Sequence, residues 1–411
     1  MIDFLLAMKA KFLRLGKKVI SYVTPCRVNR FLSYVLTAMV AVLLTLFSLQ
    51  PAIQPIPQGD SKLSQLIALI DQRYVDDVDL SKLEDVGAEA IIGALGDRWS
   101  YYISAEDMAA YNEQKNNAYV GIGITITANT DGSGLTVIEV SSGGGAEAAG
   151  VQVGDVVTGV DGQSIVGMDI NAISALIRGE VNTYVSLTLQ RTEEEITVRV
   201  KRQQIKTPVA VATLLDNAIG LIQIKNFNAN CASETIKAIQ SLQKQGATKL
   251  IFDVRNNGGG YADEMIAVLD YLLPEGDLFR TVDYTGREDV ATSDRKCVDM
   301  PMVVLVNGRS YSAAEFFAAA LCEYDFATVV GEQTSGKGYF QVTYELQDGS
   351  AVALSIGKYY TPKGNSLEGV GITPGVVVPV DEKTAALIYA GKLAPMEDPQ
   401  ILRAIEALNA K

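Results

Sequence analysis

The sequence predicts a multidomain α/β protein with an N-terminal membrane helix, and three observations lead to this prediction. The chain has 411 residues, which is long for one domain because about 100–200 residues per domain is usual. Residues 31–50 contain no charged side chain. From about residue 208 onward, short apolar runs alternate with amphipathic stretches, a rhythm typical of βαβ units in a largely parallel sheet.

The first 60 residues predict a basic cytoplasmic segment (1–30), a membrane signal anchor (31–50) and a linker (51–60). Seven basic side chains and one acidic side chain precede the uncharged run, which as a helix would span the roughly 30 Å hydrocarbon core of a bilayer. Because basic flanks stay cytoplasmic, we expect the rest of the chain outside a bacterial-type cell membrane. A cleaved signal peptide and a buried core helix are the alternatives, although a signal peptide usually has a shorter apolar region.

Residues 61–117 predict a small helical segment. Leu63, Leu66, Ile67 and Ile70 recur at the spacing of one helix face. A second apolar face follows around residues 88–95. Helix faces of this kind can pack against a second copy of the chain, so a homodimer is one expectation.

Residues 118–203 predict a small β-rich domain of the size of a peptide-binding module. The stretches GIGITIT, LTVIEV, VSLTLQR and EITVRVKR alternate apolar and polar residues, as half-buried strands do. Two short helical pieces, GAEAAGV and NAISALIRG, interrupt them, so about five strands and two helices are expected. The remaining residues, 204–411, predict an α/β core whose buried strands include AIGLIQI, KLIFDVR and MVVLVNG. A later β stretch turns at residues 347–350.

Composition excludes several classes of function. The chain has no histidine, which removes Ser-His-Asp and Cys-His catalytic sites and histidine-ligated zinc. A general base must then be a carboxylate, a lysine, a tyrosine or water. A net charge of −13 argues against nucleic acid as a partner. Cys231, Cys297 and Cys322 follow the apolar run without any C-x-x-C pair, so we expect at most one intramolecular disulfide. We expect neither a bound metal ion nor a cofactor.

The densest candidate site is NGRSYSAAEFFAAAL, residues 307–321, where a predicted strand gives way to a helix near Ser312. Ser312 and Glu315 have the spacing of a capping box, so one interpretation is that Ser312 only caps the helix. The other is that the turn exposes the serine hydroxyl at the sheet edge. The Ala313 amide would then stabilise an oxyanion at the positive helix N-terminus.

Two glycine-rich segments accompany this motif. In DVRNNGGGY, residues 253–261, the glycines permit close backbone approach and anion binding by free amides. In GEQTSGKGYFQ, Lys337 lies between two glycines, 25 residues after Ser312. A surface lysine is usually just solvated. Without histidine, however, lysine is the basic side chain that burial can deprotonate.

These segments together resemble the carboxyl-terminal processing peptidases, also called tail-specific proteases. The resemblance also includes GDRWSYYIS at 96–104 and KYYTPKGNSLEGVGITP at 358–374, and it covers about residues 60–405. YVGIGITI and AEAAGVQVGDVVTGVDGQSI resemble a PDZ domain. The resemblance implies a PDZ domain at 118–203 and a crotonase- or Clp-protease-like α/β peptidase core at 204–411 with serine endopeptidase activity.

By the same resemblance, Ser312 is the nucleophile, Lys337 is the general base and Gln341 assists the lysine. The oxyanion-binding amides fall on Gly258, Gly259 and Ala313. The chain departs from the family pattern at two positions: Ser335 replaces a common aromatic residue, and Gly375 replaces the usual aspartate.

In the segment that resembles a PDZ domain, the candidate binding residues for a substrate C-terminus are Gly121, Ile122, Gly123 and Ile124. The glycines let amides turn inward toward a terminal carboxylate, and the next strand offers an edge to an extended peptide. A pocket shared with the helix NAISALIR would favour an apolar last side chain, whereas an ordinary barrel with glycine turns is the alternative. Arg178 is most simply a cation at that helix's C-terminus.

We therefore expect a membrane-anchored serine endopeptidase that recognises the apolar C-termini of protein substrates. A non-catalytic PDZ adaptor on a membrane stalk is one alternative, and the Ser312, Lys337 and Gln341 set argues against it. A crotonase-like acyl-transfer enzyme is another. The predicted PDZ insertion and export disfavour acyl-CoA chemistry.

Overall fold

The computed structural model describes residues 34–42 and 61–410. Of the predicted anchor at 31–50, only residues 34–42 are described, and they are helical with exposed side chains. The predicted basic segment (1–30), the linker (51–60) and the remainder of the anchor lie outside the described residues. Within the ranges that are described, no helix is both long and apolar enough to cross a membrane.

The chain divides into two units, Met1–Glu84 and Asp85–Lys411. The predicted helical segment begins with α1 (Lys62–Arg73) and α2 (Leu80–Gly93). The Ser61 hydroxyl caps α1 by accepting the amide of Ser64 at 3.2 Å. Neither helix contains a buried residue.

The segment predicted as a PDZ domain is a six-stranded antiparallel sheet beside a two-stranded one. The elements from residue 101 to 206 are β1 (Tyr101–Ile103), α3 (Met108–Asn116), β2 (Ala118–Gly121), β3 (Ile124–Ala128), β4 (Leu135–Val140), α4 (Gly145–Ala148), β5 (Val156–Val160), β6 (Gln163–Ser164), α5 (Ile170–Ile177), β7 (Tyr184–Arg191), β8 (Glu194–Lys201) and β9 (Gln203–Lys206). The larger sheet has the order β3-β4-β5-β7-β8, with β6 on β5, and β2 pairs with β9. Val185, Leu187 and Leu189 alternate inward along β7, which is why that strand lies on the core.

This segment has more strands than the five or so expected. The additional ones are short, or they lack the strict alternation of apolar and polar residues on which the expectation rested. β5 buries the consecutive residues Gly159 and Val160, and β6 is only two residues long. Pairing with neighbouring strands, rather than local pattern, creates them.

The α/β core confirms the expected largely parallel sheet. Its elements are β10 (Ala210–Leu215), β11 (Ile219–Ile224), α6 (Cys231–Lys244), β12 (Lys249–Asp253), α7 (Ala262–Leu272), β13 (Gly276–Asp283), β14 (Glu288–Ser293), β15 (Met302–Val306), α8 (Ala313–Glu323), β16 (Ala327–Gly331), β17 (Tyr339–Glu345), β18 (Ala351–Tyr360), β19 (Val376–Val377), α9 (Glu382–Tyr389) and α10 (Pro399–Asn409). Strands β11, β12, β15, β16 and β19 are parallel, and β10 pairs antiparallel with β11 at the edge.

Both faces of this sheet are buried, as expected for a parallel sheet. Phe252 and Val304 pack with α6, α7 and α8 on one face, where Phe317 contributes an edge-to-face ring contact. Ile251 and Val303 pack with α10 on the other face. Because successive side chains of a strand alternate sides, neighbouring residues serve two separate cores.

A second sheet, of order β1-β18-β13-β14 with β17 on β18, contains the predicted late β stretch. The hairpin between β17 and β18 closes where the Leu346 amide donates to the Ser350 carbonyl at 2.8 Å, as the turn residues predict. The β13–β14 hairpin was not predicted. Since β17 begins at Tyr339, this sheet supports the segment that carries Lys337.

Candidate active site

Three loops converge at one edge of the parallel sheet. Strands β12, β15 and β16 are adjacent and parallel, so the loops that follow them meet at their carboxyl ends. The Tyr311 amide donates to the Asn257 carbonyl at 3.1 Å, and the Ser335 amide to the Ser310 carbonyl at 3.2 Å. The sheet topology thus brings the segments with Gly258, Ser312 and Lys337 together.

Ser312 lies at the N-cap of α8 in an unusual backbone conformation, with φ 58° and ψ −128°. A positive φ is uncommon outside glycine and costs on the order of 1–3 kcal/mol where the surroundings enforce it. The residue is 7% exposed. Glu315 supplies one half of the predicted capping box, because its carboxylate accepts the Ser312 amide, so the capping and nucleophile interpretations of this turn are compatible.

Gly259 and Ser312 approach so closely that a side chain at position 259 would not fit. A Cβ there would lie 2.8 Å from the Ser312 Cβ and 3.0 Å from the Ala313 nitrogen, and Gly259 itself has φ +85°. Glycine satisfies both requirements. The turn after β12 therefore lies directly against the start of α8.

The Glu315 carboxylate joins the serine loop to the lysine loop. It is fully buried and accepts the backbone amides of Ser312 (3.0 Å), Gly336 (2.8 Å) and Lys337 (2.8 Å), together with the Thr334 hydroxyl. Burial raises the pKa of Glu315 although these hydrogen bonds favour the ionised form. The sequence indicated only the local cap, because the contacts with residues 334–337 depend on the fold.

The Lys337 amine lies against aromatic rings. Its Nζ is 5.0 Å from the ring centre of Trp99 and 5.9 Å from that of Tyr311. Burial lowers the pKa of Lys337 to about 8, with the charge of Lys115 acting in the same direction. Asp97, Glu368 and Glu315 act against this shift. A lysine with such a pKa is partly neutral near physiological pH and can accept a proton.

Trp99 is a residue of this site to which the sequence assigned no role. Its indole nitrogen donates to Glu368 Oε1 at 3.2 Å, while the other carboxylate oxygen accepts the Gly338 amide at 2.7 Å. Arg98 donates to the Ser335 and Gly336 carbonyls, both at 3.1 Å. The segment with Arg98 and Trp99 therefore stabilises the loop that carries Lys337.

Gln341 lies on β17, and its side-chain amide is bonded to groups other than the lysine amine. Its side-chain nitrogen donates to Ser355 Oγ at 2.9 Å and to the Tyr339 carbonyl at 3.2 Å. Over the described residues, no hydrogen bond joins Gln341 to Lys337, or the Ser312 hydroxyl to the Lys337 amine. Catalytic hydrogen bonds often form only in the complex with substrate.

The three candidate oxyanion amides differ in their surroundings. The Gly259 amide is engaged, because it donates to Asn257 Oδ1 at 2.8 Å. The amides of Gly258 and Ala313 donate to no acceptor among the residues that the structure describes. Since a Cβ on Gly259 would lie 3.0 Å from the Ala313 nitrogen, the Ala313 amide lies beside the glycine turn.

Among the residues that the structure describes, neither the cysteines nor the acidic residues form a metal site. In the described part of the chain, no group of three or more histidine, cysteine, aspartate or glutamate side chains could hold a metal ion. Cys231 is buried, and burial raises the pKa of its thiol to about 12. Cys297 is exposed.

A cleft of about 170 Å³ lies at the predicted site for a substrate C-terminus. Strand β3 is at the edge of its sheet, so one side of its backbone has no neighbouring strand. Arg178 forms a 3.5 Å ion pair with Glu113; that pair is partly solvent-exposed and so contributes little stability. The cleft is lined by Tyr119, Gly121, Ile122, Gly123, Ile124, Ile126, Ser174, Ile177 and Arg178.

Comparison with known families adds to this geometry. The model for Peptidase family S41 matches residues 218–378, and the model for the PDZ domain matches residues 136–191. The first match contains the three loops, and the second contains most of the β-rich sheet.

The chain is also similar to named proteases. It is 36% identical to the carboxy-terminal processing protease CtpA of Bacillus subtilis over 84% of this chain and 76% of the relative. It is 31% identical to the chloroplastic C-terminal processing peptidase of Tetradesmus obliquus, over 74% of this chain and 71% of the relative. A solved structure from Bacteroides fragilis, provisionally assigned as an S41 protease, shares the fold at 14% identity with a TM-score of 0.50, covering 86% of this chain and 99% of that one. The chain belongs to peptidase family S41 and is a PDZ-containing serine protease of the C-terminal processing type.

Proposed function

We propose that this protease is anchored in a bacterial-type cell membrane by residues 31–50 and cleaves exported proteins whose apolar C-terminus its PDZ domain holds. The single observation that carries the catalytic part is the bridging carboxylate of Glu315. One of its oxygens accepts the amides of both Ser312 and Lys337, so the candidate nucleophile and base share one anchor. A membrane stalk with a binding domain needs no such arrangement.

In the proposed reaction, the Ser312 hydroxyl oxygen attacks the scissile carbonyl carbon while neutral Lys337 takes the hydroxyl proton. The Ala313 and Gly258 amides stabilise the oxyanion that forms. The C–N bond then breaks, Lys337 donates its proton to the leaving amine, and an acyl-serine remains. Water, deprotonated by Lys337, then attacks the ester carbonyl; the bond between the acyl carbon and the Ser312 oxygen breaks, and Lys337 returns the proton to that oxygen, which regenerates both residues.

Gln341 is proposed to orient Lys337 during this cycle. In the structure described here its amide is bonded to Ser355, so this role requires the side chain to change rotamer. The proposed Gly259 contribution is steric, because its own amide is bonded to Asn257 and its missing side chain makes room for Ser312.

The substrate's C-terminus is proposed to enter the cleft beside β3. Its carboxylate would accept amides of the 121–124 loop, and its backbone would add a strand to the open edge of β3. The apolar side chains of Ile126 and Ile177 line this cleft, which favours an apolar last residue.

The decisive experiment incubates the full chain with an unfolded protein that ends in apolar residues, and compares it with Ser312→Ala. Cleavage by the parent but not by the variant supports the proposal. Binding of the tail without cleavage by either protein would indicate a non-catalytic adaptor instead. Turnover of an acyl-CoA substrate in place of the protein would indicate an acyl-transfer enzyme.

A further inference from the structure

Lys115 at the end of α3 is a half-buried lysine held by aromatic rings. Its Nζ lies 5.5 Å from the ring centre of Tyr111 and 5.4 Å from that of Tyr261, distances at which a cation is attracted to a ring face. The Lys115 carbonyl accepts the Ala229 amide at 3.1 Å, which fixes the end of the helix. No carboxylate forms an ion pair with this ammonium in the ranges 34–42 and 61–410.

The two tyrosines place Lys115 beside the candidate active site. Tyr261 directly follows the glycine turn at 258–260 and is 43% exposed. The Tyr111 hydroxyl is 2.9 Å from Thr343 Oγ1 on β17, the strand that begins two residues after Lys337. The ammonium of Lys115 therefore lies between the proposed oxyanion turn and the strand that supports the proposed base.

The charge of Lys115 acts on Lys337, the proposed base. It contributes to the lowered pKa of Lys337, whereas the acidic residues that act on Lys337 oppose that shift. Beyond residue 30 the chain has 28 basic and 47 acidic residues, so the ammonium of Lys115 is a positive charge in a body that is acidic as a whole. A carboxylate from outside the protein would complete the pair, and the tyrosine rings would partly exclude water from it.

We propose that Lys115 selects substrates that carry an acidic side chain, aspartate or glutamate, close to the scissile bond. This inference rests on the proposed proteolytic function. It adds a second point of recognition that is separate from capture of the C-terminus.

The test uses matched peptides that share one free apolar C-terminus and differ by a single glutamate or glutamine, scanned along the chain. Since every peptide keeps the same terminal carboxylate, a difference within a pair isolates the side chain. Dissociation constants are measured by fluorescence anisotropy with the Ser312→Ala protein, so that the readout does not depend on turnover. At one position near the cleavage site, glutamate should bind about fivefold more tightly than glutamine, the effect of roughly 1 kcal/mol.

The variants decide the outcome. Lys115→Gln should abolish the preference and Lys115→Glu should reverse it, whereas Lys244→Gln, which removes an exposed lysine at the end of α6, should leave it intact. Equal binding of both peptides at every position, or a glutamate preference that survives in Lys115→Glu, would overturn the inference. Cleavage by the parent protein is scored separately: selective binding without cleavage would contradict only the proteolytic function, and cleavage without selectivity only the role of Lys115.

Discussion

The backbone amides of Ser312 and Lys337 donate to the same oxygen atom, Glu315 Oε2, at distances of 3.0 and 2.8 Å. The two residues belong to loops that follow adjacent parallel strands, β15 and β16. A buried carboxylate with this set of partners fixes the distance between the two loops. It does so at the backbone, which leaves both side chains to the chemistry.

Glu315→Gln should therefore lower both the activity and the stability of the protein. The glutamine side chain presents an NH2 group where the carboxylate accepted amides, so at least one donor faces another donor. We expect kcat/KM to fall by about a hundredfold or more and the free energy of unfolding by about 1–3 kcal/mol. Peptide cleavage assays and urea unfolding measure the two quantities.

Glu323→Gln is the matched control for Glu315→Gln. Glu323 ends the same helix and its carboxylate also accepts several loop groups, from Thr361, Lys363 and Asn365. This variant should lose stability but keep kcat/KM within about threefold of the parent. If both variants lost activity to the same extent, the activity loss of Glu315→Gln would reflect reduced stability and not the placement of the two loops.

The positive φ of Ser312 predicts that two inactive variants differ in stability. Ser312→Ala keeps a Cβ in a conformation that disfavours one, whereas Ser312→Gly removes it. Ser312→Gly should be more stable than Ser312→Ala by about 1 kcal/mol, and both should lack activity. Equal urea midpoints for the two variants would show that the backbone at this turn is unstrained.

Capture of the C-terminus predicts a strong effect of the terminal charge. Amidating the C-terminus of a substrate, or ending it in aspartate, should slow cleavage about tenfold or more, which corresponds to roughly 1.4 kcal/mol of lost binding. Cleavage rates are measured with otherwise identical peptides. Identical rates for free-acid and amidated tails would argue against carboxylate recognition by residues 121–124.

The proposed membrane anchor predicts a definite orientation. A protease added to intact cells should digest the chain beyond residue 60 and spare residues 1–30, because the basic flank stays inside. Antibodies against tags at the two ends report the fragments. Protection of the C-terminal tag in intact cells, with digestion after lysis, would exclude the proposed orientation.

The sequence predicts that the three loops share one site but not how they are held. Apolar runs separated by helices imply a largely parallel sheet, whereas the grouping of Gly258, Ser312 and Lys337 in one site is what the resemblance to the carboxyl-terminal processing peptidases implies. The ring of Trp99 against Lys337 could not be inferred, because 238 positions separate them along the chain and local patterns carry no information about such contacts. The contacts of Glu315 with residues 334–337 could not be inferred either, because the spacing of Glu315 from Ser312 indicated only a helix cap.

The directions of the side chains could not be predicted from the sequence either. Gln341 lies four residues after Lys337, yet a register shift between Phe340 and Gln341 in the pairing of β17 with β18 accompanies a hydrogen bond from Gln341 to Ser355. Gly259 lies at the predicted turn, but Asn257 occupies its amide. Spacing along a chain predicts which residues are near, and hydrogen-bond competition decides where they point.

The pH dependence of kcat/KM for the parent, Lys337→Arg and Lys337→Met tests the central claim most directly. Burial lowers the pKa of Lys337 from 10.5 to about 8, so the parent's activity should rise with pH and level off above about 8. The lowered pKa destabilises the fold fully below about pH 8, and this effect fades as pH rises from about 8 to the unfolded value of 10.5, above which it is absent. Lys337→Met should therefore melt no lower than the parent at pH 7.

Both variants should lose activity by about 10²–10⁴-fold, since arginine stays protonated and methionine accepts no proton. A rise in the parent's activity through pH 8 that is absent from both variants is the result we predict. Turnover by Lys337→Arg or Lys337→Met at the parent's rate, with the same pH profile, would contradict the assignment of Lys337 as the base.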